Sequence, residues 1–470
     1  MTESLPVAVI GGGPIGLAAA SHLVLRGVSV KLLEAGQSVG HNLRDWGHVK
    51  LFSVWSQCVD EGARELLARA GWEGVPEDQL PTGQDLVRDY LEPLAATPEL
   101  SSTIETDSRV VQVVRQGLDR LSSKQRDGRP FEITIENGKG ERRRMLARAV
   151  IDTSGTWQNP NPFGANGWPA EGERELASVI RYGIPDIGGA DRAQYAGKRV
   201  AVIGGGHSAA NALLDLALLA EHEPGTSMTW VIRGNSLATV FGGGEADQLP
   251  ARGALGRRLK ALTDAGRLNI VMSFAANDAR QTSHGIVLSG LMKGEPSTVG
   301  PFDRIIVATG QRPDFSFARE LQLDLHPAVE STRALGPLID PNFHSCGTVP
   351  PHGWRELAHA EPGYFVAGVK SYGRAPTFLL LTGYEQVRSI AAHLGGNHVA
   401  ADDVRLVLPE TGVCSATLEQ VAPGGGVCCG GSAAEEAEAC CEKPHIKTAP
   451  GCCFPQPANV VRSNTIACCG

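Results

Sequence analysis

Residues 7–16 read VAVIGGGPIG and run into LAAASHLVLRG, and residues 200–209 read VAVIGGGHSA and run into ANALLDLALLA. In each copy four consecutive apolar residues precede three glycines, and a long Ala/Leu-rich run follows. The continuous apolar run predicts a strand buried on both faces of a parallel sheet. The glycines permit a tight strand-to-helix turn, and the next helix presents free N–H groups and the positive end of its dipole to a pyrophosphate. One such fingerprint is a weak signal. Two, each in the strand–turn–helix setting, imply two bound dinucleotides and electron transfer between them. The candidate positions are Gly11, Gly13, Pro14, Ile15 and Gly16 in the first copy, and Gly204, Gly206, His207, Ser208 and Ala209 in the second.

The residue at the end of the second strand of each unit tells the two nucleotides apart. After the first fingerprint, Val28–Glu34 (VSVKLLE) ends in Glu34, near the offset of roughly 20 residues at which a carboxylate grips a ribose 2′-OH. This fits the adenosine half of FAD, the alternative being a surface glutamate at a strand end. After the second fingerprint, Met228–Arg233 (MTWVIR) ends in Arg233, which suits a 2′-phosphate and hence NADPH. A solvated strand-end arginine is the alternative there.

Outward from these units, the chain reads as α/β with two Rossmann-like dinucleotide-binding domains, one inserted in the other. The expected division is a first FAD-domain part over 1–165, an NADPH domain over 166–300, a second FAD-domain part over 301–409, and a tail over 410–470. Segments RVVQVV, PFEITIE and MLARAVIDTSG, separated by the polar stretch 121–129 and Asn137-Gly138, predict an antiparallel insert over about 103–150. That insert closes on Thr153 and Gly155 of AVIDTSG; a matching strand, RIIVATG, closes on Thr309 and Gly310. Both place backbone beside the flavin or at an interdomain hinge. From Tyr364 a strand (YFVAG) leads through KSYGRAP, with Lys370, to a helix expected from Pro376 to a Gly395 stop, with Thr377 in its first turn.

With 470 residues, 42% hydrophobic and 20% charged, the composition is that of a globular protein. A net charge of −8 supplies no basic stripe for nucleic acid. The run Leu213–Ala220 is short and interrupted by Asp215, so no membrane span is expected. Met1–Pro6 shows no signal-peptide pattern, and a cytoplasmic location is expected.

The fingerprints, Glu34, TSG at 153–155 and ATG at 308–310 followed by QRPD together resemble the two-dinucleotide-binding flavoproteins, the superfamily of flavin monooxygenases and pyridine nucleotide–disulfide oxidoreductases. The resemblance spans about residues 5–400 and implies FAD, NADPH and an oxidoreductase activity. More narrowly, RDWGHVKLFSVW (44–55), GHSAANALLDLA (206–217), HSCGTVPPHG (344–353) and KSYGRAPTFLLLTGYEQ (370–386) resemble actinobacterial monooxygenase-type flavoproteins of arsenic-resistance gene clusters. In such flavoproteins the start of the last helix stabilises negative charge on the flavin. Two departures stand out. The segment 178–199 lacks the F-x-G-x-x-x-H-x-x-x-[WY] signature of Baeyer–Villiger enzymes, and no C-x-x-C stands beside the expected flavin site.

A monooxygenase reading needs few protein groups, because the cofactors carry the chemistry, O2 is the co-substrate and the protein keeps water out. Arg44, Trp46 and His48 are candidates for lining the flavin or substrate pocket, with a structural role as the alternative for His48. Cys346, between His344 and His352, is a candidate thiolate or soft-metal ligand, an ordered inert loop being the alternative.

Of the 11 cysteines only Cys58 and Cys346 precede Cys414. The tail carries Cys428-Cys429, Cys440-Cys441, Cys452-Cys453 and Cys468-Cys469, in a polar, low-periodicity segment expected to be largely disordered. Adjacent cysteines do not form relaxed disulfides, but two pairs together supply thiolates for soft ions such as As(III), Hg(II) or Cu(I). Three functions follow: a monooxygenase acting on trivalent arsenic or another thiophilic species, a reductase passing flavin electrons to the tail cysteines, or a metalloid-sequestering protein on a flavin scaffold.

Overall fold

The computed structural model describes residues 4–237, 241, 249–343, 349–376 and 378–405. In chain order the strands are β1 (Val7–Ile10), β2 (Val30–Leu33), β3 (Ile104–Glu105), β4 (Arg109–Arg115), β5 (Phe131–Glu136), β6 (Arg142–Ala147), β7 (Ala149–Asp152), β8 (Ile180–Tyr182), β9 (Arg199–Ile203), β10 (Ser227–Val231), β11 (Asn269–Val271), β12 (Phe274–Thr282), β13 (Gly285–Met292), β14 (Glu295–Phe302), β15 (Arg304–Val307) and β16 (Tyr364–Val366). Four helices position the site: α1 (Pro14–Leu25), α2 (His207–His222), α3 (Pro250–Asp264) and α4 (Leu380–Leu394).

Two parallel five-stranded sheets carry the fingerprints, as the apolar runs predict. The first has the order β16-β7-β1-β2-β3 and the second β11-β10-β9-β15-β8. β1 and β9 lie inside their sheets, with Val7 opposite both Val30 and Ala149, and Val200 opposite both Met228 and Arg304. All four β1 residues are buried. α1 is buried along most of its length because it lies between the first sheet and α4. Gly383 lets the helices approach, since a Cβ there would fall 2.5 Å from Ile15 Cδ1.

Three differences from the sequence reading have physical causes. The antiparallel meander covers only β4–β6; β3 and β7 at its ends belong to the first parallel sheet. MLARAVID therefore divides at Arg148 into an edge strand and a central one. β15, expected in the second FAD-domain part, is instead a central strand of the second sheet between β9 and β8, so the boundary expected at 301 falls inside that unit. Its place is set by pairing with β9, a long-range choice that its own residues do not encode. A second antiparallel meander, β12-β13-β14, fills 274–302 and was not foreseen. Its Gly- and Ser-containing strands blur the period-two pattern, although Lys293 (φ 53°) and Gly294 (φ 92°) form the left-handed pair that a tight hairpin turn requires.

The last helix begins at Leu380, not Pro376. Leu379 is extended (ψ 152°), and Phe378 turns in to meet the Tyr372 ring edge-on at 5.4 Å.

Two buried polar groups stand in the returning chain, one of them tied to the first meander. Glu361, fully buried, takes Arg115 at 2.6 Å, Arg126 at 2.7 Å and the backbone N–H of Gln322 at 2.9 Å. His359 accepts from the Asp324 N–H through Nδ1, and its Nε2 has no hydrogen-bond partner among the described residues. Burial pushes its pKa down from 6.5 to about 4. As the pH falls the unfolded chain takes this proton first. Stability is therefore full above about pH 6.5 and is lost progressively towards pH 4, by up to about 3 kcal/mol from this one group. His359→Phe flattens the dependence of the urea midpoint on pH across that window; an unchanged slope refutes the assignment.

Candidate functional site

The first fingerprint is a turn whose glycines are required by close backbone approach. Gly11 has φ 101°, and a Cβ there would lie 2.7 Å from the Thr153 carbonyl oxygen; a Cβ on Gly16 would lie 1.9 Å from the Gly11 oxygen. Gly13 faces open space, with nothing within 4 Å of a Cβ, just where the free N–H groups of α1 point outward. Thr153 locks the turn from the neighbouring strand, its Oγ1 donating to the Ile10 carbonyl at 2.8 Å. Glu34 accepts the N–H groups of Gly12 and Gly36, each at 2.6 Å. Its carboxylate is thus fixed against the glycine turn.

The second fingerprint repeats the design. Gly204 has φ 138°, and a Cβ would fall 2.2 Å from the Ala308 oxygen; Gly206 is open. Trp230 Nε1 donates to the Gly204 carbonyl at 2.7 Å and holds the turn from beneath. Ala209 is fully buried.

Both fingerprints open on one cavity of about 720 Å³. Gly11, Gly13, Pro14, Ile15, Glu34, Thr153 and Gly155 line it on one side, and Gly205, Gly206, His207 and Ser208 on the other. A branch of about 400 Å³ shares Gly11, Glu34, Asn42 and Ser154 with it and runs out along Arg109–Val111. The two spaces share the glycine turn and the Glu34 carboxylate in their walls. A third cavity of about 220 Å³, with Ser208, Gly310 and Gln311 in its wall, adjoins the second fingerprint.

The remaining sequence candidates divide. Trp46 lines the main cavity, its ring tilted against Trp157 at 6.4 Å. Lys370 is buried at the branch, with Nζ 2.7 Å from Asp152 and 3.0 Å from Ser154 Oγ, over the Phe317 ring at 4.5 Å. Arg233 is exposed beyond β10 and donates to the Ala165 carbonyl at 2.8 Å. Because Val231 pairs with Ile203, Arg233 lies alongside the turn that follows β9.

Arg44 and His48 do not line the cavity. Arg44 pairs with Glu92 at 2.7 Å on the surface, and His48 is exposed, its charge acting on Asp215, whose carboxyl burial pushes up. Both flank Trp46 but turn away from it. Thr309 and Gly310 bond to the 159–161 segment: Thr309 Oγ1 donates to the Asn161 carbonyl at 2.8 Å, and the Gly310 carbonyl accepts the Asn161 N–H at 2.9 Å. Cys346, Thr377 and the tail pairs Cys428, Cys429, Cys440, Cys441, Cys452, Cys453, Cys468 and Cys469 lie outside the described residues. Cys58 is fully buried, and burial pushes its thiol up to about 12, which makes it inert. Among the described residues no group of three or more His, Cys, Asp or Glu is arranged to hold a metal ion, and no helix is long and apolar enough to cross a membrane.

Several wall residues were not singled out beforehand. Phe52 reaches from the first unit into the apolar core of the second and meets the His207 ring edge-on at 5.4 Å. Trp157, held by Asp45 at 2.8 Å, stands between the main cavity and the smallest one. Arg252, Leu249 and Phe378 also line the main cavity. The aromatic spacing of WGHVKLFSVW was the available signal for Phe52; nothing local marks Arg252.

Comparisons with known proteins agree with this geometry. A family model described as pyridine nucleotide-disulphide oxidoreductase matches residues 8–334. A bacillithiol disulfide reductase from Bacillus cereus superposes with a TM-score of 0.60 at 19% identity, over 83% of this chain and 99% of that one. An FAD-bound cadaverine monooxygenase from Erwinia amylovora gives 0.59 at 13% identity, over 87% and 99%. Thioredoxin reductase from Lactococcus lactis gives 0.53 at 17% identity, over 84% and 99%. These likenesses concern the fold. No curated protein matches the chain. The chain belongs to the pyridine nucleotide-disulphide oxidoreductase family of flavin-dependent oxidoreductases, and its cofactors are FAD and NADPH.

Proposed function

We propose that this protein is an NADPH-dependent FAD monooxygenase whose substrate is a thiophilic small molecule, trivalent arsenic foremost. One observation carries the oxygenase half: both fingerprints open on a single cavity whose described wall includes the aromatic residues Trp46, Phe52, Trp157 and Phe378 and contains no cysteine. A disulfide reductase needs a thiol pair against the flavin, whereas an oxygenase needs a wall that excludes water. The arsenic half rests on the resemblance of the chain to flavoproteins of arsenic-resistance clusters and on the four cysteine pairs of the tail.

In this reading Glu34 takes the ribose of FAD, with the adenosine in the branch along Arg109–Val111, and Gly13, Pro14 and the α1 N-terminus face the pyrophosphate. Gly206, His207 and Ser208 at the start of α2 take the pyrophosphate of NADPH. When both are bound, NADPH supplies hydride to the flavin and the flavin delivers electrons to O2. Trp46, Phe52, Trp157 and Phe378 keep that space dry, and Lys370 with Asp152 fixes the Ser154 turn beneath it.

Arg233 selects NADPH. Arg233→Gln raises KM for NADPH about ten- to a hundredfold, the worth of one or two charge-assisted hydrogen bonds, and leaves KM for NADH unchanged. Equal loss with both nucleotides would remove Arg233 from this role.

The cysteine pairs favour a second reading, in which electrons leave the flavin through the tail to a metal or disulfide acceptor. Truncation after residue 409, assayed for substrate-stimulated NADPH oxidation over arsenite, Hg(II) and small organic substrates, separates the two. The oxygenase keeps turning over with a raised KM for arsenite, because the tail only concentrates substrate. Complete loss of turnover with FAD retained would favour the relay.

A further inference from the structure

The penultimate residue of HSCGTVPPHG (344–353) is a histidine outside the cavity wall. His352 is 1% exposed. Its Nδ1 lies 3.0 Å from the Pro350 carbonyl oxygen, which can only accept, so Nδ1 carries the proton. Its Nε2 is then an acceptor, 3.0 Å from the side-chain nitrogen of Gln386. Gln386 is fully buried on α4, and its Oε1 accepts the backbone N–H of Gly368 at 2.8 Å. Turning that amide over would set its NH2 against the Gly368 N–H, two donors facing each other. The amide orientation and the imidazole tautomer are therefore each fixed from both ends. Ser371 closes the network, its Oγ donating to the Gly368 carbonyl at 2.7 Å and accepting from Gln386 at 3.0 Å.

The far end of this chain of bonds is the cavity. Gly368 has φ 76°, lines the main cavity with Val369, and sits so close to Ile15 that a Cβ would be 3.3 Å from its side chain. Ile15 lies in the first turn of α1, behind the first fingerprint, and Gly383 of α4 presses on it from the other side. Gly368 has no side chain of its own to hold it; Gln386 holds its N–H directly and its carbonyl through Ser371.

We infer that His352 and Gln386 are positioning residues of the flavin cavity, the neutral Nδ1–H imidazole fixing the Gln386 amide and the amide fixing Gly368 against the fingerprint helix, its N–H directly and its carbonyl through Ser371. This rests on the reading of the cavity as the FAD and NADPH site. Protonation of His352 at Nε2 turns the acceptor into a donor that faces the Gln386 NH2, so the amide must turn and release Gly368.

The charges around His352 leave this switch to its own ring. Glu356, on the short helix that follows it, is taken by the Gly353 N–H at 2.8 Å, and its charge favours protonation, while burial disfavours it more strongly. On α4, Glu385 is paired with Arg388 at 2.7 Å and accepts the Arg405 N–H at 2.7 Å. On the Gly368–Tyr372 segment, Lys370 points to Asp152 at 2.7 Å, and the Tyr372 ring lies 5.7 Å from the imidazole.

The test is anaerobic reduction of the FAD-loaded full-length enzyme by NADPH, followed by flavin absorbance across the acid to neutral range. It involves neither O2 nor any acceptor, so it stands apart from the choice between oxygenase and reductase. The wild type shows an acid limb in the reduction rate with FAD still bound. Gln386→Leu and His352→Leu each slow reduction about tenfold at neutral pH, as the loss of one buried hydrogen bond implies. His352→Gln, whose amide can donate to Pro350 and accept from Gln386, recovers most of the rate and lacks the acid limb. An acid limb that persists in His352→Gln, a wild type without one, or full-rate reduction by Gln386→Leu overturns the inference. Should the leucine variants lose FAD, the pH profile of His352→Gln decides.

Discussion

Gly16→Ala purifies without flavin and rebinds FAD about a hundredfold more weakly than the wild type. The new methyl would lie 1.9 Å from the Gly11 carbonyl and 2.8 Å from Thr153 Oγ1, and neither neighbour can retreat, because Thr153 is bonded to the Ile10 carbonyl and Gly11 is wedged under Thr153. The first turn of α1 must swing out, carrying its N–H groups and dipole away from the pyrophosphate. Overpacking of this kind costs about 1–3 kcal/mol before any binding is lost, and a hundredfold in Kd is about 2.7 kcal/mol. Gly13→Ala is the internal control. It meets nothing within 4 Å, so it leaves the melting temperature unchanged and affects only the binding of the phosphate it faces. Flavin content on purification and a thermal melt check both variants; a Gly16→Ala protein that retains FAD stoichiometrically would contradict the account of the turn.

Glu361→Ala is the largest stability change expected outside the cavity, about 3–5 kcal/mol by denaturant midpoint. Removing the carboxylate leaves Arg115 and Arg126, 2% and 3% exposed, as uncompensated buried cations. Burial alone would push the Glu361 carboxyl up, but bonds from Arg126, the Gln322 N–H and Arg115 outweigh it and hold the carboxyl below the usual range. Its contribution is therefore present at neutral pH and is lost as the pH falls, in the same direction as that of His359. Arg115→Met with Arg126→Met in the Glu361→Ala background recovers much of the loss, since an apolar replacement of a whole buried ion group is often neutral. A loss below 1 kcal/mol for Glu361→Ala alone would show the triad to be solvated.

What could be read from the chain and what could not follow one division. The strand–turn–helix setting of the fingerprints was legible because it is local: strand, glycine turn and helix are consecutive, and the Cβ clashes at Gly11, Gly16 and Gly204 show why each turn takes glycine. β15 was misplaced because its membership depends on pairing with a strand about a hundred residues away. Arg44 and His48 were right in segment and wrong in direction: Trp46 between them turns into the cavity, and side-chain direction over this short irregular stretch follows no simple period. Phe52 acts across units on His207, and Gln386 reaches back 18 residues to Gly368, so only the folded chain joins them to the site. His352 is the sharpest case. Its motif suggested a ligand for a soft ion, yet both ring nitrogens are spent inside the protein, on Pro350 and Gln386.

The central claim is that electrons from NADPH at the second fingerprint pass through FAD at the first to O2, with one oxygen atom entering the substrate. Turnover of the full-length enzyme with NADPH, arsenite and isotopically labelled O2, read by mass spectrometry of the arsenic product, tests it most directly. The account predicts arsenate carrying one labelled oxygen, the second oxygen atom leaving as water, and one NADPH consumed per arsenate formed. NADPH consumption with arsenite left unoxidised, or arsenate without label, would contradict it.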